Sequence, residues 1–362
     1  MIESIIDTFG ENATLGAAGL LVGILFGIAA QRSHFCLRAA TVEVAEGTMG
    51  ARLAVWLVAF TAALAGVQGA AATGLLQVEE TRALSATGSV SGAVIGGVLF
   101  GIGMILARGC ASRLLVLAAS GNLRALVTGL VVTLVAQASY RGALSPLRED
   151  IAALWTIPGG ASRNIGAWIG AGHSTIALVA LGLLVAALAF AKSRGVGAGK
   201  TLAAGLVGLA VTLGWLATYT IAQNSFEIVP VASITFTGPA TDTLMALVTA
   251  TSVPLSFGIG LVPGVAVGAA GSAVQSREWK IERFGPDTPM ERYLVGAGSD
   301  GVRGNAGRWL CCRGRFVRGV CAVGNGVVGG LFHVVGGDAY PPSVSGFKAA
   351  GRGLSYSHSI CS

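Results

Sequence analysis

The sequence predicts an all-α polytopic membrane protein, and three observations carry that expectation. Of 362 residues, 53% are hydrophobic and 11% charged, where a soluble globular chain carries about 25% charged residues. Apolar runs long enough to cross roughly 30 Å of hydrocarbon, about 17 to 25 residues each, recur at 14–30, 51–77, 89–107, 122–139, 173–191, 200–222 and 255–275. The chain holds 55 glycines, and those within these runs recur at G-x-x-x-G and G-x-G spacings, as in "GAVIGGVLFGIGMILARGC". Small residues let helix backbones approach closely where lipid supplies no hydrophobic drive for association.

The run at 14–30 follows Glu3, Asp7 and Glu11 in place of a basic flank and a cleavage site, so it is expected to stay in the mature protein. It stops at "QRSHFCLRAA", where Gln31, Arg32, Ser33 and His34 interrupt a membrane-grade helix and Cys36 stands at the break. After the run at 51–77, the one at 89–107 ends in the same manner, with Arg108, Gly109, Cys110, Ala111, Ser112 and Arg113. The run at 122–139 completes a first transmembrane half, 1–150. Residues 151–172, amphiphilic with Pro158 and several glycines, read as a connector.

A second half, 173–298, opens with two further runs and reaches its own polar break, "NSFEIVPVASITFTGP", with Ser233, Thr235 and Thr237 where the first half has cysteine. The run at 255–275 follows, and this half then stops short of the first. The segments "KSRGVGAGK" and "QSREWKIERFGPDTPMER" are assigned to the cytoplasm by the positive-inside bias, with the acidic N-terminus outside. The tail, 299–362, is basic and non-membrane: it holds +5 of the net charge of +7 and four of the six cysteines.

Irregular backbone at membrane depth must be buried in protein or line a cavity. Interruptions in both halves point to a pseudo-twofold inverted repeat of the transporter type, with its site near the midplane. Broken helices present unpaired N–H groups and a positive dipole end, which suit an anion. A thiol adds a polarizable, weak donor suited to a sulfur-bearing anion. The candidate substrate-binding residues are therefore Cys36 and Cys110, with Ser33, Gly109, Ser112, Thr235 and Thr237. The alternative for each cysteine is a small apolar filler. For Arg32, Arg38, Arg108 and Arg113, snorkelling to a headgroup is favoured over contact with the anion. No Ser/His/Asp set, carboxylate pair or phosphate-cradling loop is present, so neither an enzyme nor a cofactor is expected. The cysteine spacing makes neither a metal site nor a disulfide framework. The local basicity does not indicate nucleic acid.

The stretches "FGIAAQRSHFCLRAA", "GGVLFGIGMILARGCASRLL" with "SGNLRAL", and "SITFTGP" together resemble the YeeE/YedE-type sulfur transport family, which includes thiosulfate permeases. The likeness runs from about residue 14 to 298. It implies a multi-pass inner-membrane protein of inverted halves, whose re-entrant half-helices meet at a constriction where cysteines pass thiosulfate inward. It also implies a TusA-like sulfurtransferase as receiving partner. Cys36 and Cys110 match two of the transport cysteines. The alternatives are a carrier of selenium or other sulfur oxyanions and a membrane thiol oxidoreductase using Cys36 and Cys110 as a pair.

The family's third cysteine belongs to a Gly-Cys element soon after "ERYLVGAG", and the sequence departs from the pattern there. The tail carries Arg303, Arg308, Arg313, Arg315 and Arg318, each costing about 2.5 to 3.5 kcal/mol at the centre of a spanning helix. The literal substitute is Cys321. A one-base shift of frame explains more: the last two bases of the Trp309 codon plus any leucine first base encode glycine. Leu310 overlapping Cys311 permits cysteine, and Cys311 overlapping Cys312 gives alanine or valine. The sequence thus predicts a frameshift near codon 298.

Overall fold

The computed structural model describes residues 6, 8–76, 88–157, 172–225, 229–249 and 255–283. Expectations for the tail, Cys321 included, and for most of the connector lie outside the described residues. Within them, seven helical segments are long and apolar enough to cross a membrane: Glu11–Ala45, Ala51–Ala72, Val90–Ala119, Leu123–Arg141, His173–Ser193, Ala198–Gln223 and Phe257–Gln275. They coincide with the seven apolar runs. The protein is an all-α, multi-pass membrane protein.

Two of those segments are broken. The first consists of α1 (Glu11–Ser33) and α2 (Leu37–Ala45); after α3 (Ala51–Ala72), the second consists of α4 (Val90–Leu106) and α5 (Ala111–Ala119). There follow α6 (Leu123–Arg141), α7 (Ser145–Ala153), α8 (His173–Ser193), α9 (Ala198–Gln223), α10 (Thr237–Thr249) and α11 (Phe257–Gln275). A two-residue antiparallel pair, β1 (Gly88–Ser89) with β2 (Thr156–Ile157), joins the start of α4 to the end of α7. Ser91 Oγ also donates to Ile151 O at 2.6 Å. The boundary assigned at 150/151 therefore runs through α7, which packs on α4 and α6.

The most intimate contact joins α1 and α11, which run parallel. Gly19, Gly23 and Gly27 of α1 face the carbonyl oxygens of Phe257, Leu261 and Val265, while Gly260, Gly264 and Gly268 of α11 face those of Gly16, Leu20 and Ile24. A Cβ at any of these six positions would stand within 2.5 Å of the opposing oxygen. The four-residue spacing keeps the glycines on one stripe of each helix, which is what G-x-x-x-G accomplishes in lipid. A second close approach sets Gly208 of α9 against Ala59 O and Ala63 N of α3. The core beside these seams is built of small and aliphatic side chains, with Ala54, Ala204, Leu261, Val265 and Ala269 fully buried. By contrast, α8 exposes Leu178, Leu181 and Val185. Such a contiguous apolar face is stable only against lipid or another apolar surface.

Enlarging the seam is expected to unfold the protein. Gly264→Leu meets backbone atoms of Leu20 that cannot swing aside and should cost about 1 to 3 kcal/mol or more. Gly182→Ala on α8, where nothing lies within 4 Å, should be neutral or stabilising by up to about 1 kcal/mol. Thermal melting of the detergent-solubilised variants, followed by size-exclusion chromatography, checks both.

Candidate functional site

The two breaks in the first half are built from the same parts in the same order. In each, a long apolar helix ends in a residue with left-handed backbone, His34 (φ 51°) or Arg108 (φ 56°). One residue follows, Phe35 or Gly109, and then an extended cysteine that heads a nine-residue helix: Cys36 (φ −153°, ψ 110°) for α2 and Cys110 (φ −83°, ψ 167°) for α5. At the first break, His34 N donates to Gln31 O and Phe35 N to Ala30 O, both at 3.2 Å, closing the helix end as a left-handed cap does. Neither cysteine is disulfide-bonded, and both are buried.

Like the starts of α1, α3, α7, α8 and α9, these helix starts carry no side-chain cap, and among the described residues they alone are headed by a thiol. Ser89, Asn122 and Ser256 each accept a first-turn N–H of the helix they head, as Ser and Asn commonly do. Cys36 and Cys110 accept none. The first-turn N–H groups of α2 and α5, which have no acceptor within the helix, thus keep donor capacity beside a thiol. Cys110 Sγ lies 3.1 Å from Ser112 Oγ. It packs with Phe100 and Met104, and Leu37, next to Cys36, packs against the same cluster. The fold therefore sets the head of α2 beside the head of α5.

The other residues singled out in the sequence occupy varied places. Ser33 is buried, but its hydroxyl is used by its own helix, donating to Ala29 O at 2.7 Å. Gly109 is not required by crowding, since a Cβ there would meet only side chains at 3.5 Å or beyond. In the second-half break, Thr218 of α9 accepts from Ala232 N at 3.2 Å and donates to Ala232 O at 2.6 Å, and Ser233 Oγ donates to Val211 O at 2.6 Å. This irregular chain is held along α9. Thr235 is half-buried. Thr237, at the start of α10, lines an apolar cleft between α5, α6, α10 and α11 that Ala111, the neighbour of Cys110, also lines.

Sequence reasoning missed a polar cluster at the end of α1. Gln31 Nε2 donates to Glu278 Oε2 at 3.0 Å, Ser120 Oγ donates to Gln31 Oε1 at 3.3 Å, and His34 Nε2 lies 3.9 Å from Glu278 Oε1. Beside it the turn Ser120–Asn122 pairs with 280–282: Lys280 N donates to Ser120 O, Glu282 N to Gly121 O and Leu123 N to Glu282 O. Asn122 Nδ2 donates to Glu282 Oε2, which also pairs with Arg124 at 3.6 Å. The signal was present in "SGN" and in Glu278 and Glu282, which alternate with Arg277, Lys280 and Arg283 directly after the last apolar run. Arg113 also differs from its expected snorkelling: it is buried, 5% exposed.

Residues 32–301 match the family model described as sulphur transport. The chain belongs to that family. The match opens at Arg32 and includes both cysteine breaks and the second-half break. The chain is 36% identical over 129 residues to the thiosulfate transporter TsuA of Spirochaeta thermophila, spanning 35% of this chain and 37% of that protein. It is 24% identical over 336 residues to the thiosulfate transporter TsuA of Escherichia coli, spanning 86% of each. Members of the sulphur transport family are transporters, which accords with a chain whose chemistry-bearing residues sit at breaks in membrane helices.

Gly121 has φ +98°, and a Cβ there would strike Lys280 O. Gly121→Ala should therefore free the 280–282 segment at a cost of about 1 to 3 kcal/mol. It would be seen as a lower melting temperature and faster tryptic cleavage after Arg277 and Lys280.

Proposed function

We propose that this protein imports thiosulfate, or a closely similar sulfur-containing anion, across the inner membrane through a constriction lined by Cys36 and Cys110. The observation that carries the reading is the repeated break: twice, a spanning helix stops at a left-handed residue and hands over to a short helix with an uncapped N-terminus headed by a buried thiol. Open N–H groups and a positive helix end favour an anion, and sulfur at the cap favours a soft one. Several weak contacts in series allow both entry and release. The substrate printed in the names of both TsuA relatives supports thiosulfate.

The halves are read as inverted repeats, with Thr235 and Thr237 in the second-half counterpart of the cysteine breaks. Arg32 donates to Gln275 and His34 lies 3.9 Å from Glu278, so the basic segment after α11 lies at the end of the molecule where α1 finishes. This supports a cytoplasmic exit there, at which a TusA-like sulfurtransferase receives the sulfur. A family match that ends at residue 301 supports the reading that the native frame is lost near codon 298.

In the frame that transports, Cys110→Ala should lower uptake of labelled thiosulfate at least about tenfold in a strain lacking other importers, at unchanged membrane abundance. Cys36→Ala should lower it less. Cys110→Ser keeps size and a donor, so partial uptake marks hydrogen bonding and complete loss marks a need for sulfur. Uptake at the wild-type rate in Cys110→Ala would remove the assignment, while the selenium-oxyanion alternative is tested by selenite competition.

Restoring the frame near codon 298 should turn an inactive chain into an active one. DNA sequencing across that codon, with uptake measured before and after the one-base change, decides the matter. Equal uptake by both forms would reject the frameshift and leave Cys321 as the third cysteine.

A further inference from the structure

We propose that Arg113 is the fixed counter-charge of the anion path, holding the oxygen-bearing end of the substrate while Cys110 meets its sulfur end; this rests on the sulfur-anion transport reading above. Arg113 is the third residue of α5, which begins directly after Cys110. Its side chain is 5% exposed, and its Nε and Nη1 are buried with no hydrogen-bond partner. Among the described residues, none supplies it with a carboxylate. The contrast within the same fold is Arg148, also buried, whose guanidinium meets Glu149 at 2.7 Å.

A guanidinium cannot shed its charge by losing a proton, and a buried charge is tolerated when it is paired. Arg113 is placed for such pairing with an incoming ligand. It shares the first turn of α5 with the uncapped N–H groups. The planar fork suits two oxygens of a tetrahedral oxyanion. A thiol beside it suits the one feature that separates thiosulfate from sulfate, a terminal sulfur. The first break echoes the arrangement more weakly: Arg38, second residue of α2 after Cys36, also has a buried Nε without a partner.

The test compares Arg113→Met, Arg113→Lys and wild type as full-length purified proteins, in the frame that transports. Melting temperature is read in sodium thiosulfate and in sodium chloride of equal ionic strength, and affinity for thiosulfate and sulfate by equilibrium binding. Without thiosulfate, Arg113→Met should melt at or above wild type, because it removes an unpaired buried charge. It should also lose the thiosulfate-dependent rise and bind thiosulfate at least about tenfold more weakly. Arg113→Lys should fall between the two. Sulfate binding should depend on Arg113 and be indifferent to Cys110→Ala.

An Arg113→Met variant that binds thiosulfate as wild type does would overturn the inference. So would one that melts lower or fails to fold, since the arginine would then serve the fold. A wild type that binds no thiosulfate fails the transport reading itself, and the inference with it; a wild type that binds and a variant that binds equally fails only the inference.

Discussion

The backbone contact between α1 and α11 positions everything near the first break. In lipid, two apolar helices gain nothing by hiding from water, so their association depends on close van der Waals packing over their length. Reciprocal glycines bring each helix against the carbonyls of the other over three successive turns. Because the two helices run parallel and in tight register, they finish together. The end of α1 therefore meets the segment after α11, and Gln31, Arg32 and His34 face Gln275 and Glu278. A looser seam would leave His34 and Cys36 without a defined partner surface.

The breaks then show how a membrane protein leaves backbone donors available without losing its fold. The carbonyl end of α1 is closed internally through the left-handed His34, while the N–H end of the following helix is headed by a residue whose sulfur is a weak acceptor. A serine or asparagine at that position would satisfy a first-turn donor itself, as Ser89, Asn122 and Ser256 do elsewhere. In the second-half break the irregular chain is instead tied to α9 by Thr218 and Ser233. The described part of the molecule thus contains two kinds of break, one tied to its neighbour and one with donors in reserve.

Polar pairing at the end of α1 links the two cysteine breaks to the segment after α11. Ser120, just past α5, donates to Gln31 of α1, which in turn donates to Glu278. Asn122 performs two tasks, capping α6 and donating to Glu282. Gln31 and Asn122 are buried, where a lost partner costs more than the bond itself contributes. The heads of α2 and α5 are thereby tied to the segment after α11 through Gln31, Ser120 and Asn122.

The sequence by itself determined the class and the spans. The scarcity of charge and the length of the apolar runs are properties of composition, and each run of that kind has one stable solution in hydrocarbon, a helix with its own hydrogen bonds. It also marked the breaks, because Arg32, His34 and Arg108 cannot continue an apolar span cheaply, and it singled out Cys36 and Cys110 at them. Tertiary structure alone decided which residues at a break are spent and which remain available. Ser33 was as good a candidate as Ser112 on paper, yet its hydroxyl returns to Ala29 while Ser112 reaches Cys110. Arg113 read as a snorkelling cation and lies buried, with no carboxylate partner among the described residues. The glycines of α1 and α11 read as generic packing, and only their pairing across 240 residues of chain shows which two helices meet. Local pattern records what a segment is, but burial and pairing depend on segments distant in sequence, and those distances close only when the helices pack.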